Sequence, residues 1–518
     1  MTDTRTSSDQ DIDAEIAALS PRGRRWLLTV ASLALLLVIS SMVALNAALP
    51  DIALETTATQ AQLTWIVDAY TLAMACLLLP AGALGDRYGR RGALLVGLVI
   101  FGVASAAPIV FDTPTQLIAA RALTGVGAAF VMPATLSLLT AAFPKSERHK
   151  AIGIWAGVAG SGAIVGFLGT GLLLQHNPWQ SVFIALSAEA VLVFALAATI
   201  GSSRDPEATP IDWLGAALIG TALAMFVVAV VEAPMRGWTD PLVLAGLAGG
   251  IVLAVAFTVV QLRRRHPLLD VRLFGRPDFA TGAIGVTMLF LANFGFFYLA
   301  MQFLQLVMGY SALGTAFALA PLVVPVMVLS VTVHLVLPKI GFRWTVTVGL
   351  LLIATGLYCM RFADADAVYL DVMWPMLIIA SGVGLCTAPT TSAIMNAVPD
   401  EKQGVASAVN DATRELGAAV GIAVAGSILA ATYRSSLAPQ LSAFPPPVRD
   451  TATDSLAYAL SLSDRMGPQG EALREAARSA FVQASDHAML ALAGIVLAAA
   501  VLVAAWAPGR DGKQLFRK

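Results

Sequence analysis

The chain has 518 residues, of which 58% are hydrophobic and 13% charged, with a net charge of −1 and a mean hydropathy of +0.77. A soluble globular domain carries roughly 25% charged residues, so this chain cannot cover its surface with polar groups, and lipid must solvate much of it. The balanced charge gives no footing for nucleic acid, and Cys76, Cys359 and Cys386 lie singly in apolar runs, as small core residues without metal-ligand spacing or a disulfide role.

Residues 1–25 are polar and acidic ahead of an arginine cluster, the wrong order for a cleaved signal peptide, and read as a disordered cytoplasmic tail. A membrane helix needs about 20 mostly apolar residues. Such runs fall at 26–48, 62–84, 92–110, 116–140, 151–174, 180–200, 213–233, 241–261, 279–308, 312–337, 344–362, 371–396, 404–432 and 485–507. The spacing predicts an all-α integral membrane protein with 14 transmembrane helices. Within the long segment 433–484, stretches 450–464 and 469–484 are patterned as short external helices.

Lys and Arg in short loops set orientation. Arg22, Arg24 and Arg25, the Arg87–Arg91 group, Lys145, Arg148 and Lys150, Arg263 to Arg265, Lys339 and Arg343 all fall on one side, while the opposite short loops hold Arg236 and Arg361. A multi-pass protein of the cell inner or plasma membrane with both termini cytoplasmic is expected. A repeat is also visible. GDRYGRR (85–91) follows the second span and LPKIGFR (337–343) the tenth, with Gly89 matching Gly341 and Arg91 matching Arg343. GVG at 125–127 leads into Pro133 and Pro144, as GVG at 382–384 leads into Pro389 and Pro399. Spans 1–6 therefore resemble spans 9–14. The expected organisation is a tail at 1–25, a six-helix bundle at 26–200, two inserted helices with linkers at 201–278, a second six-helix bundle at 279–507 including the external loop 433–484, and a tail at 508–518. Two related bundles are a transporter architecture, with the substrate path between them.

Several motifs suggest where the chemistry lies. In GALGDRYGRR (82–91), Gly82 and Gly89 permit a tight turn and Arg87, Arg90 and Arg91 anchor the loop at the cytoplasmic face. Asp86 is an acid where the charge rule favours bases; it can meet a helix N-terminus of the other half and latch the two. Arg121, one turn into span four, needs a partner or a wet cavity unless it snorkels to the outer interface. Gly162, Gly166 and Gly169 offer a smooth face for helix packing and for rocking of the halves. VNDATRELGAAVG (409–421) puts Asp411, Arg414 and Glu415 inside span thirteen. Asp411 and Glu415 share a helix face, and Arg414 is placed to pair with Asp411. A carboxyl left over in such a cluster suits proton coupling, and a structural ion-pair network closing the cytoplasmic gate is the alternative. Asp68 in span two and Glu189 in span six are further intramembrane acids, with snorkelling at the lipid edge as the alternative reading, more so for Glu189 than for Asp68. Phe294, Phe297 and Tyr298 in span nine suit lipophilic cations, or face lipid as bulk.

WIVDAYTLAMACLLLPAGALGDRYGRR (65–91), RALTGVGAA, DWLG (212–215), GWTDP (237–241), HPLLDVRLF (266–274) and GVASAVNDATRELGAAVG (404–421) together resemble the major facilitator superfamily, in its fourteen-span drug:proton antiporter branch, over residues 26 to 430. WIVDAY resembles exporters of quaternary ammonium compounds and biguanides. Two positions depart from the pattern: Ser41 stands where the branch carries a first-span acid, and Phe167 where it carries proline after Gly166. The resemblance implies proton-coupled export of lipophilic, cationic drugs or toxic compounds by a monomer. It implies no cofactor or metal beyond the proton motive force, with protons, small molecules and the bilayer as partners. Export of a lipid-like or anionic metabolite on the same scaffold is the alternative. For an enzyme the sequence offers no nucleophile–base motif, phosphate loop or metal spacing.

Overall fold

The computed structural model describes residues 19–56, 58, 60–111, 113–203, 210–441, 449, 452–453 and 455–509. Hydrocarbon offers backbone N–H and C=O groups no partner, so apolar runs satisfy them internally and form helices. In chain order these are α1 (Pro21–Thr56), α2 (Gln60–Tyr88), α3 (Arg90–Ala106), α4 (Pro114–Ala142), α5 (Lys145–Leu174), α6 (Gln180–Ala197), α7 (Trp213–Arg236), α8 (Pro241–Arg263), α9 (Pro277–Gln302, continuing as a π turn, Phe303–Val307), α10 (312–340), α11 (342–359), α12 (Tyr369–Asn396), α13 (Gln403–Leu437), α14 (Leu456–Met466) and α15 (Glu471–Trp506).

Among the described residues, 13 helical stretches are long and apolar enough to cross a membrane. One of them, Leu313–Phe362, has 50 residues. That is about 75 Å of helix at 1.5 Å per residue, against a hydrocarbon core of about 30 Å. It breaks at Gly341, whose φ of 79° lies outside any right-handed helix. The stretch is therefore two crossings, α10 and α11, which brings the total to the expected fourteen.

The helices pack as two related bundles. In the first, α1 lies against α5, α2 against α4, and α3 against α4 and α6; in the second, α9 lies against α13, and α10 and α11 against α12. Of two large buried apolar cores, one, including Leu35, Phe101 and Leu138, centres on the first bundle and continues across to Phe279, Ile394 and Val405 of the second, while the other, including Phe296, Leu350 and Leu492, lies almost wholly in the second. The repeat extends to single hydrogen bonds. Gly89 and Gly341 both turn the chain at positive φ, 112° and 79°. Two residues on, Arg91 donates to Ala198 O at the end of α6, and Arg343 donates to Ala507 O at the end of α15. The GVG pairs each bring a helix against two neighbours, but in opposite order: Gly125 meets α2 and Gly127 meets α3, whereas Gly382 meets α11 and Gly384 meets α10.

The inserted helices are capped by their own sequence. Asp212 accepts Gly215 N–H at 3.1 Å to start α7, and Asp240 accepts Leu242 N–H at 2.9 Å to start α8. Gln261 of α8 returns to Asp212 at 2.7 Å, tying the pair together. α7 lies against both α2 and α13, and so touches both bundles.

Three expectations change. The stretch 469–484 is not a separate external helix. From Glu471 it runs on into the last span as one 36-residue helix, α15, because nothing after Glu471 breaks it. The other expected external helix is interrupted at Ser455, whose extended backbone starts α14, with 452 and 453 helical before it; residues 450, 451 and 454 lie outside the described residues. The N-terminal tail is expected to reach residue 25, but α1 already begins at Pro21, where proline suits a first helical turn. Residues 1–18 and 510–518, most of both expected tails, lie outside the described residues.

Candidate functional site

The end of the molecule carrying the α2–α3 and α10–α11 turns is rich in arginine. There α2 stops at Tyr88 and α3 starts at Arg90, so Gly89 alone makes the turn. This geometry holds Asp86 against the other bundle, 5% exposed. Its Oδ1 accepts Arg90 Nε at 2.9 Å and Gly404 N–H at 2.8 Å, and its Oδ2 accepts Val405 N–H at 3.1 Å. Gly404 and Val405 lie in the first turn of α13, where N–H groups have no partner within the helix and the helix dipole favours an anion. A Cβ on Gly82 would lie 2.5 Å from Gly404 O, and one on Gly404 2.5 Å from Gly82 O. The contact therefore requires glycine on both sides. A second link runs through Asp400 in the α12–α13 connection. Its carbonyl accepts Arg90 at 2.9 Å and its carboxylate accepts Arg148 of α5 at 3.0 Å. The two bundles are thus closed against each other at this end. Arg87 is half-buried, with its guanidinium 5.3 Å from the Tyr88 ring.

Deeper in, α13 carries Asp411, Arg414 and Glu415, which are 1%, 2% and 7% exposed. The expected Asp411–Arg414 pair is not formed. Arg414 turns its guanidinium over the rings of Trp155 on α5, at 4.8 Å, and Phe290 on α9, at 5.0 Å. It donates to Thr391 on α12 at 3.3 Å. Two aromatic faces and a hydroxyl replace the carboxylate as its partner. Asp411 Oδ1 instead accepts Asn410 at 3.1 Å. Asp411 Oδ2, Glu415 Oε2 and Arg414 Nε are buried with no hydrogen-bond partner among the described residues.

Arg121 is 1% exposed and does not snorkel. It donates to Ser41 Oγ at 3.0 Å, Ser41 O at 3.3 Å and Ile66 O at 3.2 Å, and its guanidinium lies 4.2 Å from the Tyr70 ring. Ser41, at the missing first-span acid, thus offers this cation neutral oxygens only. Tyr70 interacts electrostatically with both Arg121 and Glu415. Asp68 is half-buried and its charged neighbour is Glu232 of the inserted α7, itself bound to Arg236 at 2.7 Å. Glu189 is half-buried on α6 with no hydrogen bond or ion pair among the described residues.

The glycines expected to let the bundles slide are placed differently. Gly162 and Gly166 pack on Ile39 and Ser40 of α1, within their own bundle, and Gly169 has no neighbour within 4 Å of a built Cβ. The face toward the other bundle is Gly153, Gly157 and Gly160, against Ser330, Met327 and Val326 of α10. The two triplets are nine residues apart, which is about 900° around a helix at 3.6 residues per turn, so they lie on opposite faces of α5. In span nine, Phe294 and Phe297 are half-buried and Tyr298 is 36% exposed beside Gly426. Phe290, stacked on Phe294 at 6.0 Å, is the ring that reaches the charge cluster.

Sequence reasoning does not single out Trp155, Thr391, Asp400, Glu232 or Asp486. Asp400 lacks the signal that marks Asp86, because its connection, AVPDEKQ, carries two acids and one base. Asp486, half-buried in α15 with Arg361 as its charged neighbour, is another intramembrane acid. Trp155 and Thr391 carry no such signal, because only the fold brings them to Arg414.

Two related bundles, buried charges between them and a latch closing one end define a secondary transporter of the alternating-access kind. The chain belongs to the Major Facilitator Superfamily, whose pattern matches residues 31–422. The Multidrug resistance protein Stp of Mycobacterium tuberculosis (strain CDC 1551 / Oshkosh) is 34% identical, over 82% of this chain and 80% of its own. The Methyl viologen resistance protein SmvA of Salmonella typhimurium (strain 14028s / SGSC 2262) is 30% identical over 92% and 97%. The Multidrug efflux pump LfrA of Mycolicibacterium smegmatis (strain ATCC 700084 / mc(2)155) is 32% identical over 93% and 96%. Among solved structures, the human organic anion transporter MFSD10 superposes with a TM-score of 0.61 at 14% identity, over 94% of this chain and 100% of its own. That likeness concerns the fold alone.

Proposed function

We propose that this protein exports lipophilic, cationic drugs or toxic compounds in exchange for protons, by alternating access of its two bundles. The observation that carries the reading is the α13 cluster: two carboxylates and an arginine buried between the bundles, with carboxylate oxygens left unpaired. Buried ionisable groups in a membrane protein are costly and mark ion or substrate pathways. The relatives named for multidrug and methyl viologen resistance support drug export, and the family supports proton coupling. The bundles are taken as 26–200 and 279–507, with 201–278 inserted. The arginine-rich end faces the cytoplasm, together with both termini, in the inner or plasma membrane. One chain holds both halves of the path, so a monomer suffices. A lipid-like or anionic cargo is the second reading. Arg121 favours it, being a buried cation that Ser41 does not neutralise.

Drug-susceptibility panels in cells with and without the protein, repeated with a protonophore, test this. Resistance to lipophilic cations that the protonophore abolishes is expected. Unchanged susceptibility to cations together with export of an anionic compound would overturn the cationic reading.

A further inference from the structure

Arg414 has a carboxylate three residues before it and another next to it, and pairs with neither. Its guanidinium lies between rings from opposite bundles, Trp155 on α5 and Phe290 on α9, with Thr391 of α12 as hydrogen-bond acceptor. Meanwhile Asp411 Oδ2 and Glu415 Oε2 are buried without a hydrogen-bond partner among the described residues, as is Arg414 Nε. Buried polar atoms without partners are rare and costly. A better pairing is within reach, since residues three apart on a helix are neighbours. The structure shows the arrangement in which Arg414 lies against the two rings and makes no contact ion pair with either carboxyl among the described residues.

The occupied slot between the rings shows what it accepts. Two π faces attract a cation, more strongly in a desolvated place, and a planar delocalised guanidinium is a fair likeness of a lipophilic organic cation. We propose that Trp155 and Phe290 form the binding slot for the cationic group of the substrate. Arg414 is a tethered cation that fills this slot when substrate is absent and is displaced onto Asp411 and Glu415 when substrate arrives. The inference rests on the exporter reading and specifies its exchange step. Two neighbouring buried carboxyls that make no contact ion pair share a proton; a guanidinium brought against them takes its place. One cation enters the slot and one proton leaves a carboxyl for water, so the charge of the site is unchanged and no further reactant is needed. Across the interface, the titratable neighbour of Glu415 is Tyr70 of α2, whose hydroxyl is held by Val38 O at 2.9 Å.

The test titrates the purified full-length protein in lipid nanodiscs, weakly buffered, with tetraphenylphosphonium. Binding is followed by calorimetry and proton release by an indicator dye. The wild type is expected to release a proton as the cation binds. Arg414→Gln removes the internal competitor, so the cation should bind about tenfold tighter while release per bound cation falls by more than half. Arg414→Lys should retain release. Trp155→Leu should weaken tetraphenylphosphonium about tenfold, spare an uncharged compound of the same shape, and keep release per bound cation. Weaker binding or full release in Arg414→Gln would overturn the tethered-cation role. Equal weakening of charged and uncharged ligands in Trp155→Leu would overturn the slot. Should Arg414→Gln fail to fold, Trp155→Leu and Phe290→Leu carry the test by that same comparison. A wild type that binds no organic cation would bring down the exporter reading and this inference together, whereas cation binding with the wrong variant pattern would sink this inference alone.

Discussion

Arg414 and Asp411 are three residues apart on one helix, and the pairing that helical spacing suggests is the one the protein does not make. Removing one partner of a buried ion pair is strongly destabilising because it strands the other charge. Arg414 is held in contact by Trp155, Phe290 and Thr391, and both acids act on it electrostatically, so replacing one acid still leaves it these contacts and the other acid's charge. Asp411→Asn and Glu415→Gln should therefore both fold, each with less than about 1 kcal/mol lost, as judged by melting in detergent. Their difference should be functional. Glu415 accepts no hydrogen bond from the protein among the described residues, whereas Asp411 is engaged by Asn410. Glu415→Gln should abolish proton-driven efflux while gradient-free counterflow persists. Loss of counterflow as well, in a stable variant, would place Glu415 in substrate binding instead.

At the scale of one element, α5 of the first bundle touches both bundles. Its Gly162 and Gly166 face is fixed on α1, and its Gly153, Gly157 and Gly160 face meets α10. A Cβ at Gly153 would stand 2.3 Å from Ser330 O, a backbone atom that cannot swing aside, while one at Gly169 would meet nothing within 4 Å. Gly153→Ala should force α5 and α10 apart, lowering the melting midpoint and cutting transport at least tenfold, since overpacking costs about 1–3 kcal/mol. Gly169→Ala should leave both within experimental error. Equal behaviour of the two variants would mean that the close approach at Gly153 is not a feature of the working protein. The GSGAIVGFLG spacing made it clear that α5 is a glycine-rich packing helix. Which stripe faces the other bundle was not legible, because both stripes obey the same periodicity.

For the molecule as a whole, the question is what holds the arginine-rich end shut. The Asp86 carboxylate takes two backbone N–H groups of α13, and hydrogen bonds to a charged group contribute about 1.5–3 kcal/mol each. Asp86→Ala should shift the closed–open balance by about 3 kcal/mol or more, over a hundredfold, visible as a longer distance between spin labels placed on the two bundles at that end. Turnover should fall while equilibrium binding of substrate stays nearly unchanged, because the latch biases the two states without touching the ligand. A large loss of binding with unchanged label distances would contradict this.

Fourteen crossings, two repeated bundles, an insertion between them and an acid-bearing loop at the latch all follow from the order of residues along the chain. Hydropathy and loop charge act locally, and a turn such as Gly89–Arg91 is written again at Gly341–Arg343. What the chain order could not decide is which groups from different helices meet. Trp155, Phe290 and Thr391 are far apart in sequence and come to Arg414 only when α5, α9 and α12 pack. The choice of those partners over Asp411 depends on where the rings stand, and so on the tertiary arrangement. Local spacing says which side chains are within reach of one another, and the surrounding helices determine which contacts the desolvated charge makes.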